Sequence, residues 1–136
     1  MSAFDELAVG MSAEGNVVIT REMTIGHFVA GMPHVYATPM MILHMEMAAG
    51  AAIAAALPSG YISVGMEINV RHLAATATGR TVRAVAQVTE IGAKSVFFRV
   101  EAWNDERKIG EGTHRRGIVN IREFEKRFGV REGVPA

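Results

Sequence analysis

The chain has 136 residues, of which 49% are hydrophobic and 21% are charged. These proportions are typical of a globular protein with a real core, and the length predicts a single domain over residues 1–136. The 14 Lys plus Arg balance the 14 Asp plus Glu, so no bulk charge favours nucleic acid or an anionic membrane, and the absence of cysteine excludes disulfides.

The location of the protein is predicted from its apolar segments. The first ten residues, MSAFDELAVG, lack the basic and apolar regions of a signal peptide. Residues 39–57 approach the length of a membrane span, but they contain His44 and Glu46, and a charge at the bilayer centre costs about 3 kcal/mol. We therefore expect a cytoplasmic protein without a membrane-spanning segment.

The predicted elements begin with one strand and one long helix. The segment GNVVITREMTI predicts a strand at residues 15–25, and an irregular connection rich in Gly, His and Pro follows at 26–37. Thr38 suits the N-cap of a helix and Pro39 suits its first position. Ala and Met then continue the helix until LPSG ends it at 57–60.

Four strands are predicted after the helix, at residues 61–73, 80–90, 95–103 and 107–121. The two middle segments alternate apolar and polar side chains with period two, and hairpin turns are predicted at 91–94 and 104–107. Because the helix is apolar on all sides, the sheet must cover most of it. The expected fold is therefore α+β, a curved antiparallel sheet wrapped around one long central helix, which is the hotdog architecture.

Glu46 lies within the otherwise apolar segment YATPMMILHMEMAAG, residues 36–50. A carboxylate in such surroundings needs a partner or a chemical role. On a helix, Ile42 and Thr38 share its face, with Thr38 about 12 Å away along the axis. A hydroxyl and a carboxylate along one groove indicate a site, although Thr38 could also be a plain N-cap and Glu46 the partner of a buried donor.

Three more positions could contribute to such a site. His72 ends an apolar strand in INVRHLAATATG, and it would form an activated base with Glu46 if the two meet; a structural role is the alternative. Gly65 interrupts YISVGMEINV, which predicts a bulge or the close approach of another backbone or a ligand. Arg115 and Arg116 alternate along a strand, so only one of them can face a given site.

The known catalytic and metal motifs are absent from the sequence. It contains no HExxH, P-loop or GxSxG motif, and its five histidines lack metal-ligand spacing, so no metal is expected. Met32 and Met66 lie near the predicted groove and could line an adaptable apolar pocket.

The segments VYATPMMILHMEMA, VRHLAATATGRTV and IGEGTHRRGIVNIREF resemble the fluoroacetyl-CoA thioesterase-like family of hotdog enzymes, over roughly residues 15–128. That family uses a Thr, a Glu and a His, which match Thr38, Glu46 and His72 in type and separation. The resemblance implies hydrolysis of a short-chain acyl-CoA thioester. CoA is then part of the substrate, and no separate cofactor is implied.

The resemblance also implies substrate-binding positions. A strand glycine and an arginine of the family correspond to Gly65 and Arg116. The aromatic gate residues of the fluoroacetyl-specific pattern correspond to Val29 and Met32. A flexible thioether cannot reproduce a phenylalanine gate, so the acyl group that this chain accepts is left open.

The implied mechanism leaves the attacking group undecided. His72 would act as general base with Glu46 orienting it, and the attacker could be water, Thr38, or Glu46 through an anhydride. The expected oxyanion donors are backbone N–H groups at Gly65 or at the helix N-terminus, and Arg116 is expected to contact CoA.

Hotdog relatives pair through their sheets, so a homodimer or higher homo-oligomer with the groove at the interface is expected. Two other functions stay open. One is non-catalytic binding of acyl-CoA, and the other is hydration of enoyl-CoA, whose typical closely spaced Asp and His are missing from this chain.

Overall fold

The computed structural model describes residues 4–129 of the chain. Its strands are β1 (Ser12–Val18), β2 (Tyr61–His72), β3 (Thr81–Ile91), β4 (Ser95–Asn104) and β5 (Arg107–Asn120). Its helices are α1 (Ile25–Phe28), α2 (Thr38–Ala54) and α3 (Ile121–Phe128), with a 3-10 turn at Arg21–Met23. The strands form one antiparallel sheet in the order β1-β3-β4-β5-β2, so β1 and β2 are its edges.

Helix α2 packs against all five strands, as expected for a sheet that curves around it. Its most buried side chains lie at intervals of four residues, with Met41, Met45, Ala49 and Ile53 all fully inaccessible. They meet the inward side chains of the middle strands, which alternate in the predicted way: Val82, Ala84, Ala86, Val88, Val96, Phe98, Val100 and Ala102. Among residues 4–129, no helix is both long enough and apolar enough to cross a bilayer.

The first strand is shorter and earlier than predicted. It was expected at residues 15–25, but it spans Ser12–Val18. Val18 pairs with Thr81, the first residue of β3, so the chain has no strand to pair with beyond that point. The following residues instead form the 3-10 turn and α1, which occupies part of a connection that was expected to be irregular.

The predicted start of the long helix is wrong by one position. Ala37 is the N-cap, Thr38 is the first helical residue and Pro39 the second. No side chain caps the helix. Thr38 does not serve as a cap because its hydroxyl bonds a histidine from β2 instead, as described below.

The C-terminal helix α3 was not predicted. Asn120 is its N-cap, and its side-chain oxygen accepts hydrogen bonds from the backbone N–H groups of Arg122 and Glu123, both at 3.1 Å. Gly129 ends the helix with a φ of 70°, in the left-handed region that favours glycine. Both predicted hairpin turns are confirmed, since β3 leads into β4 and β4 into β5 at those positions.

Replacing Met45 by Ala is expected to lower the free energy of unfolding by about 2–5 kcal/mol, because the side chain is fully buried between α2 and the sheet. Met47→Ala is the matched control, since the Met47 side chain is 61% exposed. That change should cost no more than about 0.5 kcal/mol. Urea titration monitored by circular dichroism measures both, and equal losses would contradict the assigned burial.

Candidate functional site

Edge strand β2 carries both Gly65 and His72, and a bulge decides which way they face. Seven positions separate them, and in a regular strand an odd separation places two side chains on opposite faces. The register of β2 against β5 shifts between Gly65 and Glu67, which inserts an extra residue. Gly65 therefore lies beside Glu46 of α2 while His72 bonds Thr38 of the same helix. The predicted bulge is confirmed.

Thr38 and His72 form a direct hydrogen bond, with 2.7 Å between the threonine Oγ1 and the imidazole Nδ1. Burial lowers the pKa of His72, and the nearby main chain of Ala74 opposes that effect only partly. The neutral ring is thus favoured, and its Nδ1 can accept the hydroxyl proton. Within residues 4–129, the buried Nε2 of His72 has no hydrogen-bond partner.

A pocket of about 480 Å³ opens beside this pair. Its lining includes Thr38, His72 and Met32, so Met32 lies in the same pocket as the bonded pair. Val29 is not among the lining residues and lies 48% exposed on the preceding loop. The pocket is therefore bounded by the start of α2, the end of β2 and this loop.

Glu46 lies in a second cluster, with its side chain 35% exposed. Its Oε1 lies so close to the backbone of Gly65 that a Cβ on that residue would collide with it, so the group that approaches this glycine is a side chain and not the expected backbone or ligand. The imidazole near Glu46 belongs to His114, with 4.0 Å between Oε1 and Nε2. Within one chain the structure thus brings Thr38 and His72 together and holds Glu46 apart from them.

Arg116 belongs to the same second cluster and is held by protein acceptors. Its Nε donates to the hydroxyl of Ser63 at 2.8 Å, and Nη2 donates to the Ser63 carbonyl at 2.9 Å. Its Nη1 reaches the Glu46 carbonyl at 3.4 Å and His114 Nε2 at 3.3 Å. Arg115 turns the other way and packs over Phe97, so only one of the two arginines faces α2, as predicted.

His114 was missed by the sequence analysis although it is nearly inaccessible, at 2% exposure. Its Nδ1 lies 2.8 Å from the backbone oxygen of Glu67, and burial lowers its pKa more than any other influence. The alternation of GTHRRG places it on the same strand face as Arg116, which was the available signal. Since the neutral ring is favoured, its contact with Glu46 is not an ion pair.

Tyr36 supports the His72 ring from behind. The tyrosine is 2% exposed, and its ring meets that of His72 edge-on with 6.3 Å between centroids. Its hydroxyl is hydrogen-bonded to Nδ1 of His44, and burial raises the pKa of the phenol, which therefore stays protonated. This packing limits the rotation of the imidazole that bonds Thr38.

The site as a whole can perform acid–base chemistry. A hydroxyl bonded to a neutral imidazole can be activated as an oxygen nucleophile, and a nearby carboxylate can orient or charge-balance the base. In the part of the chain that the structure describes, no three His, Asp or Glu side chains are grouped as a metal site would require.

Comparison with known proteins identifies what the chain is similar to. A family described as "Fluoroacetyl-CoA-specific thioesterase" matches residues 19–122. The fluoroacetyl-CoA thioesterase of Streptantibioticus cattleyicolor is 33% identical over 138 residues, which is 97% of this chain and 98% of that protein.

Two solved structures extend the comparison. The fluoroacetyl-CoA thioesterase FlK superposes with a TM-score of 0.86 at 30% identity, over 95% of this chain and 98% of that one. A hot-dog-like protein from Thermanaerovibrio acidaminovorans superposes with a TM-score of 0.86 over 99% of this chain and 100% of its own, at 21% identity. The second likeness concerns the fold alone, and it confirms the predicted hotdog architecture.

The buried histidines should make the fold sensitive to acid. Burial lowers the pKa of His44, His72 and His114, so the unfolded chain binds their protons more readily. The free energy of unfolding should therefore be highest above the unfolded value of about 6.5 and fall as the pH drops through it. Urea titrations between pH 8 and 5.5 measure this slope. His114→Gln should reduce it, and an unchanged slope would show that His114 is not held neutral.

Proposed function

The chain belongs to the fluoroacetyl-CoA-specific thioesterase family and is an acyl-CoA thioester hydrolase, and we propose that it cleaves a short-chain acyl-CoA with Thr38, His72 and Glu46 at the reacting centre. The observation that carries this assignment is the 2.7 Å bond between the Thr38 hydroxyl and His72 Nδ1. It joins a potential nucleophile to a potential base at the mouth of a pocket. CoA enters as part of the substrate, and the reaction needs no separate cofactor.

The nearest oxygen to the base is that of Thr38, which we therefore assign as nucleophile. His72 takes the hydroxyl proton while Thr38 Oγ1 attacks the thioester carbonyl carbon, and the imidazolium returns a proton to the departing CoA sulfur. Water then enters, gives a proton to His72 and attacks the carbonyl carbon of the acyl-threonine. The bond between that carbon and Thr38 Oγ1 breaks, the imidazolium returns its proton to Oγ1, and the free acid leaves. Backbone N–H groups at the start of α2 or at Gly65 stabilise the oxyanion, and Pro39 cannot contribute one.

The arrangement within one protomer supports a site that a second protomer completes, because Thr38 and His72 are bonded to each other there while Glu46 lies in another cluster. When Thr38 donates to Nδ1, the proton of the neutral ring lies on Nε2, which then needs an acceptor. A carboxylate at that position is the third member of a hydroxyl–imidazole–carboxylate triad. Glu46 is the nearby candidate, yet in its own protomer it faces His114 rather than His72.

A homodimer joined through the free edges of β2 supplies this acceptor. Antiparallel pairing of two copies of β2 about a two-fold axis near Ile68 and Asn69 makes Gly65 of one copy roughly opposite His72 of the other. Glu46 lies against Gly65 and would then approach His72 of the other copy across the interface. Each dimer would hold two equivalent sites, each with Thr38 and His72 from one protomer and Glu46 from its partner.

The acyl group is proposed to be short, with Met32 as an adaptable wall beside Thr38. Selectivity for fluoroacetyl-CoA is not part of the proposal, because the gate positions carry Val29 and Met32 rather than aromatic rings. Arg116 is assigned to the environment of Glu46, since four protein contacts already occupy its guanidinium.

Removing the base should abolish turnover. His72→Ala and Thr38→Ala should each lower kcat for acetyl-CoA at least about a hundredfold, measured as release of free thiol. Thr38→Ser keeps the hydroxyl and should retain much of the rate, and His27→Ala, an exposed histidine outside the pocket, is the control. Retained turnover in His72→Ala would contradict the mechanism. Tight acyl-CoA binding by the wild type without thiol release would instead indicate a non-catalytic binding protein.

Mixing two inactive variants tests the shared site. If Glu46 acts across the dimer, refolding Glu46→Gln together with His72→Ala gives mixed dimers with one intact site, and random assortment restores about a quarter of the wild-type rate. Thr38→Ala mixed with His72→Ala is the matched control, because each site takes both Thr38 and His72 from the same protomer. It should restore nothing. If neither mixture regains activity, one protomer supplies all three groups.

A further inference from the structure

A buried polar chain runs behind Glu46 and has no part in the mechanism derived so far. It begins at the backbone oxygen of Glu67 on β2, passes through the imidazole of His114 on β5 and ends at the guanidinium of Arg116. Its histidine is inaccessible and packs against the ring of Phe98, with 5.8 Å between centroids. Burying so polar a group is costly unless each of its atoms is used, so each atom of this ring is considered in turn.

The proton of His114 is fixed by its surroundings. A carbonyl oxygen can only accept, so the 2.8 Å contact between Nδ1 and the Glu67 oxygen requires the proton on Nδ1. Burial keeps the ring neutral. Its Nε2 therefore presents a lone pair toward α2.

That lone pair faces two groups of opposite character. Arg116 Nη1 lies at 3.3 Å and, being always charged, can donate to it. Glu46 Oε1 lies at 4.0 Å and can only accept when ionised, so no hydrogen bond joins it to the neutral ring. His114 thus holds the arginine and leaves the carboxylate free.

Arg116 is held on its other side by Ser63 of β2. The serine hydroxyl and carbonyl take Nε and Nη2, and the Glu46 carbonyl takes Nη1 along with His114. The guanidinium is thereby fixed between β2, β5 and α2, next to the carboxylate. Its position depends on acceptors at both ends.

We propose that His114 is a positioning residue of the thioesterase site, which acts as a neutral hydrogen-bond acceptor that fixes Arg116 as the counter-charge beside Glu46. The inference rests on the proposed function, because it assigns His114 a role in the same reaction. Without this acceptor, the guanidinium can turn toward the carboxylate and bind it directly. Glu46 would then be drawn away from the imidazole of His72, while the binding of acyl-CoA in the pocket beside Thr38 would change little.

Two substitutions separate this role from simple packing. In His114→Asn the amide nitrogen lies one bond from Cγ, as Nδ1 does, so it can keep the bond to Glu67 while the acceptor for Arg116 is lost. In His114→Gln the amide oxygen lies two bonds from Cγ, as Nε2 does, so it can keep the acceptor while the bond to Glu67 is lost. Phe98→Leu is the packing control, since it removes apolar contact beside the ring without touching the polar chain.

We expect the two His114 variants to rank in opposite order by kcat and by thermal stability. His114→Asn should be the more stable of the two variants, yet it should lose about tenfold or more in kcat on acetyl-CoA with KM nearly unchanged, because misplacing a charge at the reacting centre acts on the transition state. His114→Gln should recover most of that kcat despite a lower thermal midpoint. Ser63→Ala, which removes the hydroxyl acceptor of Arg116 Nε but keeps the Ser63 carbonyl and the core, should show a smaller loss of the same kind, in kcat but not in KM.

Other outcomes overturn the inference in recognisable ways. If kcat in all four variants follows the thermal midpoint, His114 serves only to fill the core, and the thioesterase assignment stands without it. If neither His114 variant folds, an unchanged kcat in Ser63→Ala is sufficient to reject the proposal that the fixed position of Arg116 matters for turnover. If the wild type releases no thiol from any acyl-CoA, the proposed function fails first and the inference fails with it.

Discussion

The structure depends on burying one side of a long, mostly apolar helix in a curved sheet. A flat sheet would reach only a narrow part of helix α2, whereas in the observed fold only its outer side, with Leu43 and Met47, stays exposed. The five strands curve until each of them touches it, and the small residues Ala49, Ala84 and Ala86 allow the close contact. Glu46 is the exception on this helix, and its carboxylate projects where the covering sheet ends, against the edge strand β2.

The electrostatics of the site follow from this position at the rim of the core. Histidines that point inward are held neutral by burial, and neutral rings can both donate and accept. His72 presents an acceptor to Thr38, and His114 presents one to Arg116. The acidic and basic side chains lie at the margin of the core, where Glu46 is partly exposed and Arg116 donates to four oxygen and nitrogen acceptors. Burial of a neutral imidazole thus makes His72 a group that can accept a proton and His114 a group that holds the charge of Arg116 in place.

The sequence was sufficient for the architecture because the strands alternate with period two and the helix begins at Thr38–Pro39. It was insufficient where pairing partners decide the outcome, as at Val18, beyond which no neighbouring strand continues. Thr38, Glu46 and His72 were identifiable by type and spacing, but spacing could not show that one protomer joins only two of them. His114 was overlooked because its position on the same strand face as Arg116 shows no role until its contacts with Glu67 and Arg116 are known in space.

The bulge at Gly65 has a consequence for how such a chain can change. Because it alone brings Gly65 and His72 onto one face, the loss or gain of a single codon between them would rotate one residue away from α2. The sheet could accommodate that change by a shift in the position of the bulge. A descendant could therefore keep the fold and lose the catalytic activity. Length variation among descendants should therefore concentrate in the turns and spare this short stretch of edge strand.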